Sequence, residues 1–155
     1  MRRNQTESAR VIAGDPIDWA SAHRWQVRVY YEDTDAGGVV FYANYLKFME
    51  RARTEWLRAM GVSQQELVLA SGVMFVVSQL DIHYLRPARL DDALVIESVV
   101  THAGKASLNF AQRVLKGSDT LAQGSIRVGC IDTGSLKPTA LPVTLRDQIF
   151  SVTKR

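Results

Sequence analysis

Asp33 and Asp35 stand two residues apart in the stretch YYEDTDAGGVVFYANYLKFMERARTEWLRAMG (residues 30–61), with Gly37 and Gly38 just behind them. Loop glycines let a backbone come close to a ligand. The segment after them has helical spacing, and the start of a helix presents unpaired N–H groups and a positive partial charge to an oxygen carrying negative charge. A carboxylate held beside such donors is half of a hydrolytic site. The donors polarise a carbonyl, and the carboxylate attacks it or activates water. The residues alone leave a plainer alternative open, in which one aspartate caps a turn and the glycines only shape the corner.

Those residues need a strand before them and a helix after them. The run WQVRVYY (25–31) is rich in β-formers and reads as a strand. A helix is expected to start between Tyr42 and Asn44 and to run to Met60, with Gly61 as its left-handed stop. Tyr45, Met49, Ala52, Trp56 and Ala59 fall on one face of it, with Phe48 beside them. Ser63 and Glu66 form an S-x-x-E capping box for a second, short helix ended by Gly72. Beyond Gly72 the period becomes two. Val76, Leu80, Ile82 and Tyr84 share one face of a strand, with Ser78 an exception, and Gln79, Asp81 and His83 share the other. Residues 94–101, 107–115 and 121–131 repeat strand-like patterns joined by turns short enough for antiparallel hairpins. LPVTLRDQIF near the end suits a last helical turn or two. One sheet of about five strands with one long apolar helix to cover predicts an α+β domain curled around that helix. Residues 1–22 are polar and aperiodic and read as an arm, leaving 23–155 as a single domain.

Composition narrows the function. The 155 residues are 46% hydrophobic and 23% charged, with a formal charge of +3. The basic residues are scattered and form no nucleic-acid stripe. No run of about 18 apolar residues exists to span a membrane, and the basic start lacks the apolar segment of a signal peptide. A cytoplasmic protein is the expectation, at most associated with the inner face of the cell membrane. Cys130 is single and reads as a small buried hydrophobe. GxSxG, HExxH, CxxC, Walker and GxGxxG signatures are all missing. His23, His83 and His102 are scattered, so no metal site is expected.

The segment VRVYYEDTDAGGVVFYANYLKFMERARTEWL resembles the signature of the 4-hydroxybenzoyl-CoA thioesterase superfamily, whose hotdog fold wraps a curved antiparallel sheet around a central helix. More narrowly it is similar to the Tol-Pal system-associated acyl-CoA thioesterase branch, and HYLRPARLDD (83–92) and CIDTGSLKPTALP (130–142) extend the likeness over roughly residues 25–145. The resemblance implies hydrolysis of an acyl-CoA thioester by a homodimer or tetramer without a cofactor. The catalytic carboxylate would be Asp35. Backbone N–H groups around Tyr42 and Ala43 would be the oxyanion donors, with Gly38 helping to position substrate. Glu50 matches an acidic residue of the motif, though pairing with Arg51 or Arg53 explains it equally well. Tyr42 stands where the Tol-Pal branch commonly has histidine and the aromatic-acyl branch tyrosine, so both acyl classes stay open. Lys105 and Arg127 are candidates for holding the CoA phosphates. A scaffold that holds acyl carrier protein or envelope proteins, with incidental hydrolysis, is the rival from another class.

Overall fold

The computed structural model describes residues 16–153, so most of the expected arm lies outside the described residues. The strands are β1 (His23–Arg28), β2 (Val73–Tyr84), β3 (Ala93–Ala103), β4 (Ser107–Lys116) and β5 (Asp119–Asp132). They form one antiparallel sheet in the order β1-β3-β4-β5-β2. The helices are α1 (Asn44–Ala59), α2 (Gln64–Ser71) and α3 (Val143–Thr153). This is the expected α+β architecture, a five-stranded sheet with one long helix against it.

The apolar stripe of α1 explains its place. Tyr45, Phe48, Met49, Ala52 and Leu57 are buried, and the Trp56 ring meets Phe110 of β4 edge-on at 5.0 Å. Leu57, not the exposed Ala59, completes the buried face. Gly61, with φ +82°, reverses the chain. Ser63 accepts the Glu66 amide at 3.1 Å and starts α2, and Gly72 closes it in the left-handed region. The C-terminal helix is longer than expected because Leu145 and Ile149 bury a face of their own.

A polar pin fixes α1 against the sheet. Gln112 of β4 is fully buried and donates to the Met49 carbonyl at 3.0 Å and to Ser98 Oγ at 2.8 Å. Its carbonyl oxygen accepts from Arg53 at 2.9 Å. Burial lowers the Arg53 pKa, and the nearby Glu50 charge opposes that shift. On the opposite face of the sheet Glu97 is buried between Arg24 and Arg113. The Trp19 ring lies 4.3 Å from the Arg113 guanidinium, so the last residues of the arm dock here.

β2 departs from strict alternation. Its pairing with β5 slips between Val77 and Gln79, a bulge at Ser78. Phe75 and Val77 stand opposite the buried Cys130 and Val128, while Val76 stands opposite Gly129. Val76 therefore lies on the other face from Leu80, Ile82 and Tyr84, contrary to the simple alternation. Among the described residues, no helix is long and apolar enough to cross a membrane.

Gly124 lets β5 and β2 approach. A Cβ there would lie 2.3 Å from Ile82 Cδ1 and 2.4 Å from the Asp81 carbonyl oxygen. Gly124→Ala should therefore destabilise the fold by about 1–3 kcal/mol in urea denaturation. An unchanged unfolding midpoint would show that the two strands part freely.

Candidate active site

The strand expected over 25–31 stops at Arg28, because the chain must curl to satisfy a buried carboxylate. Val29 is held by Asp91 and Asp92 backbone at 3.0 Å each, and Tyr31–Asp33 wind into a 3-10 turn. Asp33 is only 5% exposed. Its Oδ2 accepts the Tyr30 amide at 2.9 Å, and its Oδ1 accepts Asn44 Nδ2 at 2.8 Å. Its carbonyl accepts the Phe41 amide at 2.9 Å. Asp33 thus ties the exit of β1 to the entrance of α1.

Asp35 has the opposite environment. It is exposed, and its Oδ1 accepts the Gly37 amide at 2.8 Å. Its carbonyl accepts Gly38 N–H at 3.0 Å, and its amide donates to the Val39 carbonyl at 2.9 Å. Gly38 takes φ +80°, so 35–38 form a tight turn completed by a left-handed residue. The Gly38 amide is engaged inside this turn, so it shapes the loop that carries Asp35. Single bridges Thr34↔Val40 and Val39↔Arg89 stitch the loop to itself and to the segment before β3.

The helix mouth carries the donors. Ala43 caps α1 with helical dihedrals and no side-chain bond, and Asn44 N–H turns back to the Phe41 carbonyl at 2.8 Å. The amides of Tyr42 and Ala43 have no acceptor among the described residues. Rings gather around them. Phe41 and Tyr42 are 4.8 Å apart, and Tyr84 lies 5.4 Å from Tyr45 and 6.4 Å from Tyr42. Two of the residues that shape this mouth, Asn44 and Tyr84, carry no warning in the sequence. Asparagine at a helix start reads as a cap, yet here its amide points back to Asp33.

Glu50 lies deeper along α1. Seven residues beyond Ala43, it is about 10 Å farther along the helix axis. It accepts from Thr54 at 3.1 Å and edges a cavity of about 110 Å³ with Arg53, Trp56, Phe75 and Val77. Among the described residues it makes no direct ion pair with Arg51 or with Arg53, whose guanidinium bonds Gln112 while still feeling the Glu50 charge. Lys105 sits in the β3–β4 hairpin, at the other end of β3 from the Asp35 loop. Eleven residues of strand, about 30 Å of extended chain, separate the two ends of β3. Arg127 is exposed mid-strand on the face away from α1, next to the buried Ile126 and Val128. A single chain does not bring these two bases to Asp35. No three or more His, Cys, Asp or Glu side chains gather as metal ligands among the described residues.

Comparison with known proteins adds to this geometry. The family model described as "Thioesterase superfamily" matches residues 37–123. An "acyl-CoA thioester hydrolase YbgC" of Escherichia coli O6:H1 is 50% identical over 123 residues, 79% of this chain and 91% of that protein. An "acyl-CoA thioesterase YbgC" of Haemophilus influenzae is 47% identical over 116 residues, 75% of this chain and 85% of that protein. Among solved structures, a "probable thioesterase" from Bartonella henselae superposes with a TM-score of 0.74 at 36% identity, covering 78% of this chain and 99% of that one.

The two aspartates should separate in a stability measurement. Asp33→Ala leaves the buried Asn44 amide and the partly buried Tyr30 N–H without an acceptor and should cost about 2–4 kcal/mol in chemical denaturation. Asp35→Ala, at an exposed turn, should stay within about 1 kcal/mol of the parent. Equal losses would contradict the clamp assigned to Asp33.

Proposed function

The chain belongs to the thioesterase superfamily, and from that membership we propose that it is an acyl-CoA thioesterase acting through Asp35 and the helix-mouth amides of Tyr42 and Ala43. The observation that carries this reading is the exposed Asp35 carboxylate, held by a tight turn on the loop that leads, through the Phe41 amide on the Asp33 carbonyl, into two amides with no acceptor among the described residues. The thioester carbonyl oxygen rests against those amides and gains negative charge as the carbon turns tetrahedral. As general base, Asp35 takes a proton from water while the water oxygen adds to that carbon. The C–S bond then breaks, its electron pair leaves on sulfur, and the proton passes to the thiolate. As nucleophile, Asp35 adds directly, and the C–S bond of the tetrahedral adduct breaks to release the thiolate and leave a mixed anhydride. Water opens that anhydride to two carboxylates, giving one proton to the thiolate and one to solvent. Both routes yield a free acid and CoA using water and groups of the chain.

Phe41, Tyr42 and Tyr84 at the mouth favour an aromatic acyl group as a second reading beside an aliphatic one. Lys105 and Arg127 reach CoA phosphates at this loop only from a second copy. An assembly also suits the sheet, because among the described residues β2 pairs only with β5 and no strand covers its outer edge. Val76, Val77, Leu80 and Tyr84 along it are 37–46% exposed. Such an edge invites pairing unless it is covered. We propose a homodimer or tetramer, with acyl carrier protein or envelope proteins as further partners.

Turnover on a panel of aliphatic and aromatic acyl-CoA thioesters, followed by thiol release, tests the activity and ranks the acyl classes. Asp35→Asn should lower kcat about a hundredfold or more with KM little changed, as expected for a group acting in the transition state. Near-parental turnover in that variant would move the chemistry to another residue, and absence of turnover on every thioester would favour the scaffold role. Light scattering at micromolar concentration should report a multiple of the 17.3 kDa chain mass. A monomer alone would refute the assembly.

A further inference from the structure

We propose that Tyr84 is a positioning residue for hydrolysis, its hydroxyl holding and polarising the Tyr42–Ala43 peptide whose N–H faces the thioester carbonyl. The inference rests on the reading of Ala43 N–H as an oxyanion donor. Tyr84 Oη donates to the Tyr42 carbonyl oxygen at 2.8 Å. That carbonyl and the Ala43 amide belong to one peptide unit. In a trans peptide the C=O and N–H point in opposite directions. Tyr84 therefore occupies one side of the unit and leaves the N–H free on the other.

The Tyr42 carbonyl is available because α1 begins two residues later. Leu46 N–H, which would reach it in a longer helix, bonds to the Ala43 carbonyl at 3.1 Å. The Tyr84 hydroxyl is its one hydrogen-bond donor among the described residues. Without that bond, the peptide lies at a helix entrance with no ladder to fix its plane.

Tyr84 is well mounted for the task. Beyond it, Leu85 and Arg86 amides both bond to the Leu121 carbonyl, at 2.8 and 3.0 Å, which pins the end of β2. Its ring packs edge-on against Tyr45, which is 3% exposed and whose hydroxyl oxygen accepts the Ala88 amide at 3.0 Å. Burial, with the Tyr42 and Tyr45 hydroxyls adding to it, raises the Tyr84 pKa, so the phenol keeps its proton and stays a donor. Hydrogen bonds in series strengthen one another by about 10–30% per bond. One oxyanion donor is worth about 100- to 1,000-fold in kcat. A 10–30% share of that donor's contribution amounts to about 2- to 8-fold.

Tyr84→Phe keeps the ring and removes the hydroxyl. It should lower kcat about 2- to 8-fold with KM within about twofold, and replacing Tyr84 with 3-fluorotyrosine, which retains the hydroxyl, should restore kcat. A role of the ring in packing alone predicts no loss of kcat in Tyr84→Phe, because the ring is kept. The direct readout is the carbonyl stretch of a carbonyl-¹³C-labelled acyl-CoA bound to the Asp35→Asn variant, with and without Tyr84→Phe. In Asp35→Asn the band should lie below that of free substrate, and adding Tyr84→Phe should move it back up. A lowered band that Tyr84→Phe leaves in place, or an unchanged kcat, overturns the role of Tyr84 alone. A band already at the free-substrate position in Asp35→Asn overturns the amide reading itself, and this inference falls with it.

Discussion

A carboxylate taken out of water must be met by hydrogen-bond donors, and Asp33 meets that condition with groups from two elements. Its partners are the Tyr30 amide at the end of one segment and the Asn44 side chain at the start of α1. A buried ionisable group without such partners costs several kcal/mol. The strand exit, the 3-10 turn and the helix entrance therefore form together or not at all. Everything proposed for the site follows from that closure. It fixes where α1 begins, which amides remain outside its ladder, and where the turn carrying Asp35 projects. The residue that sets the geometry is thus not the one proposed to react.

The helix mouth is also held from the sheet. Gln112 bonds the Met49 carbonyl from beneath, so α1 cannot slide or rotate without leaving a buried amide unpaired. The bulge at Ser78 does comparable work for β2. An extra residue moves every later side chain to the opposite face. Because of it, Leu80, Ile82 and Tyr84 face the helix side, and the Tyr84 hydroxyl meets the Tyr42 carbonyl. An irregularity near mid-strand thereby decides what stands behind a peptide at the helix entrance.

These linkages mark the boundary of what the sequence discloses. The apolar stripe of α1, the Ser63–Glu66 box, the glycine stops and the β-rich segments are local signals, and each produced the expected element. The strand over 25–31 was cut short because Asp33 is satisfied only by a curled chain, and nothing local to WQVRVYY signals that demand. Ser78 was visible as a polar break in an apolar face, but whether such a break is a bulge or an exposed position depends on its partner strand. Lys105 and Arg127 illustrate the same limit. Both are cations in β-rich surroundings, and only the pairing register and the burial pattern of β5 show one at the far end of β3 and the other on the face away from α1.

The spacing of the two aspartates has a physical sense once their surroundings are compared. A carboxylate that braces a loop should be buried, doubly hydrogen-bonded and fixed. One that is to exchange protons or attack a carbonyl should keep an oxygen free of protein donors and open to water or ligand. Asp33 has the first set of properties. Asp35, with Oδ1 on the Gly37 amide and no donor on Oδ2 among the described residues, has the second. Adjacent residues could not divide the roles this way, because a bend is needed between the braced position and the open one. Thr34 supplies it, leaving the turn in extended conformation and bridging to Val40. The electrophilic half of the proposed site is made of backbone amides, which have no side-chain signature. What a sequence can show of such chemistry is the scaffold around it, a braced aspartate, a free one, and glycines where the chain must turn.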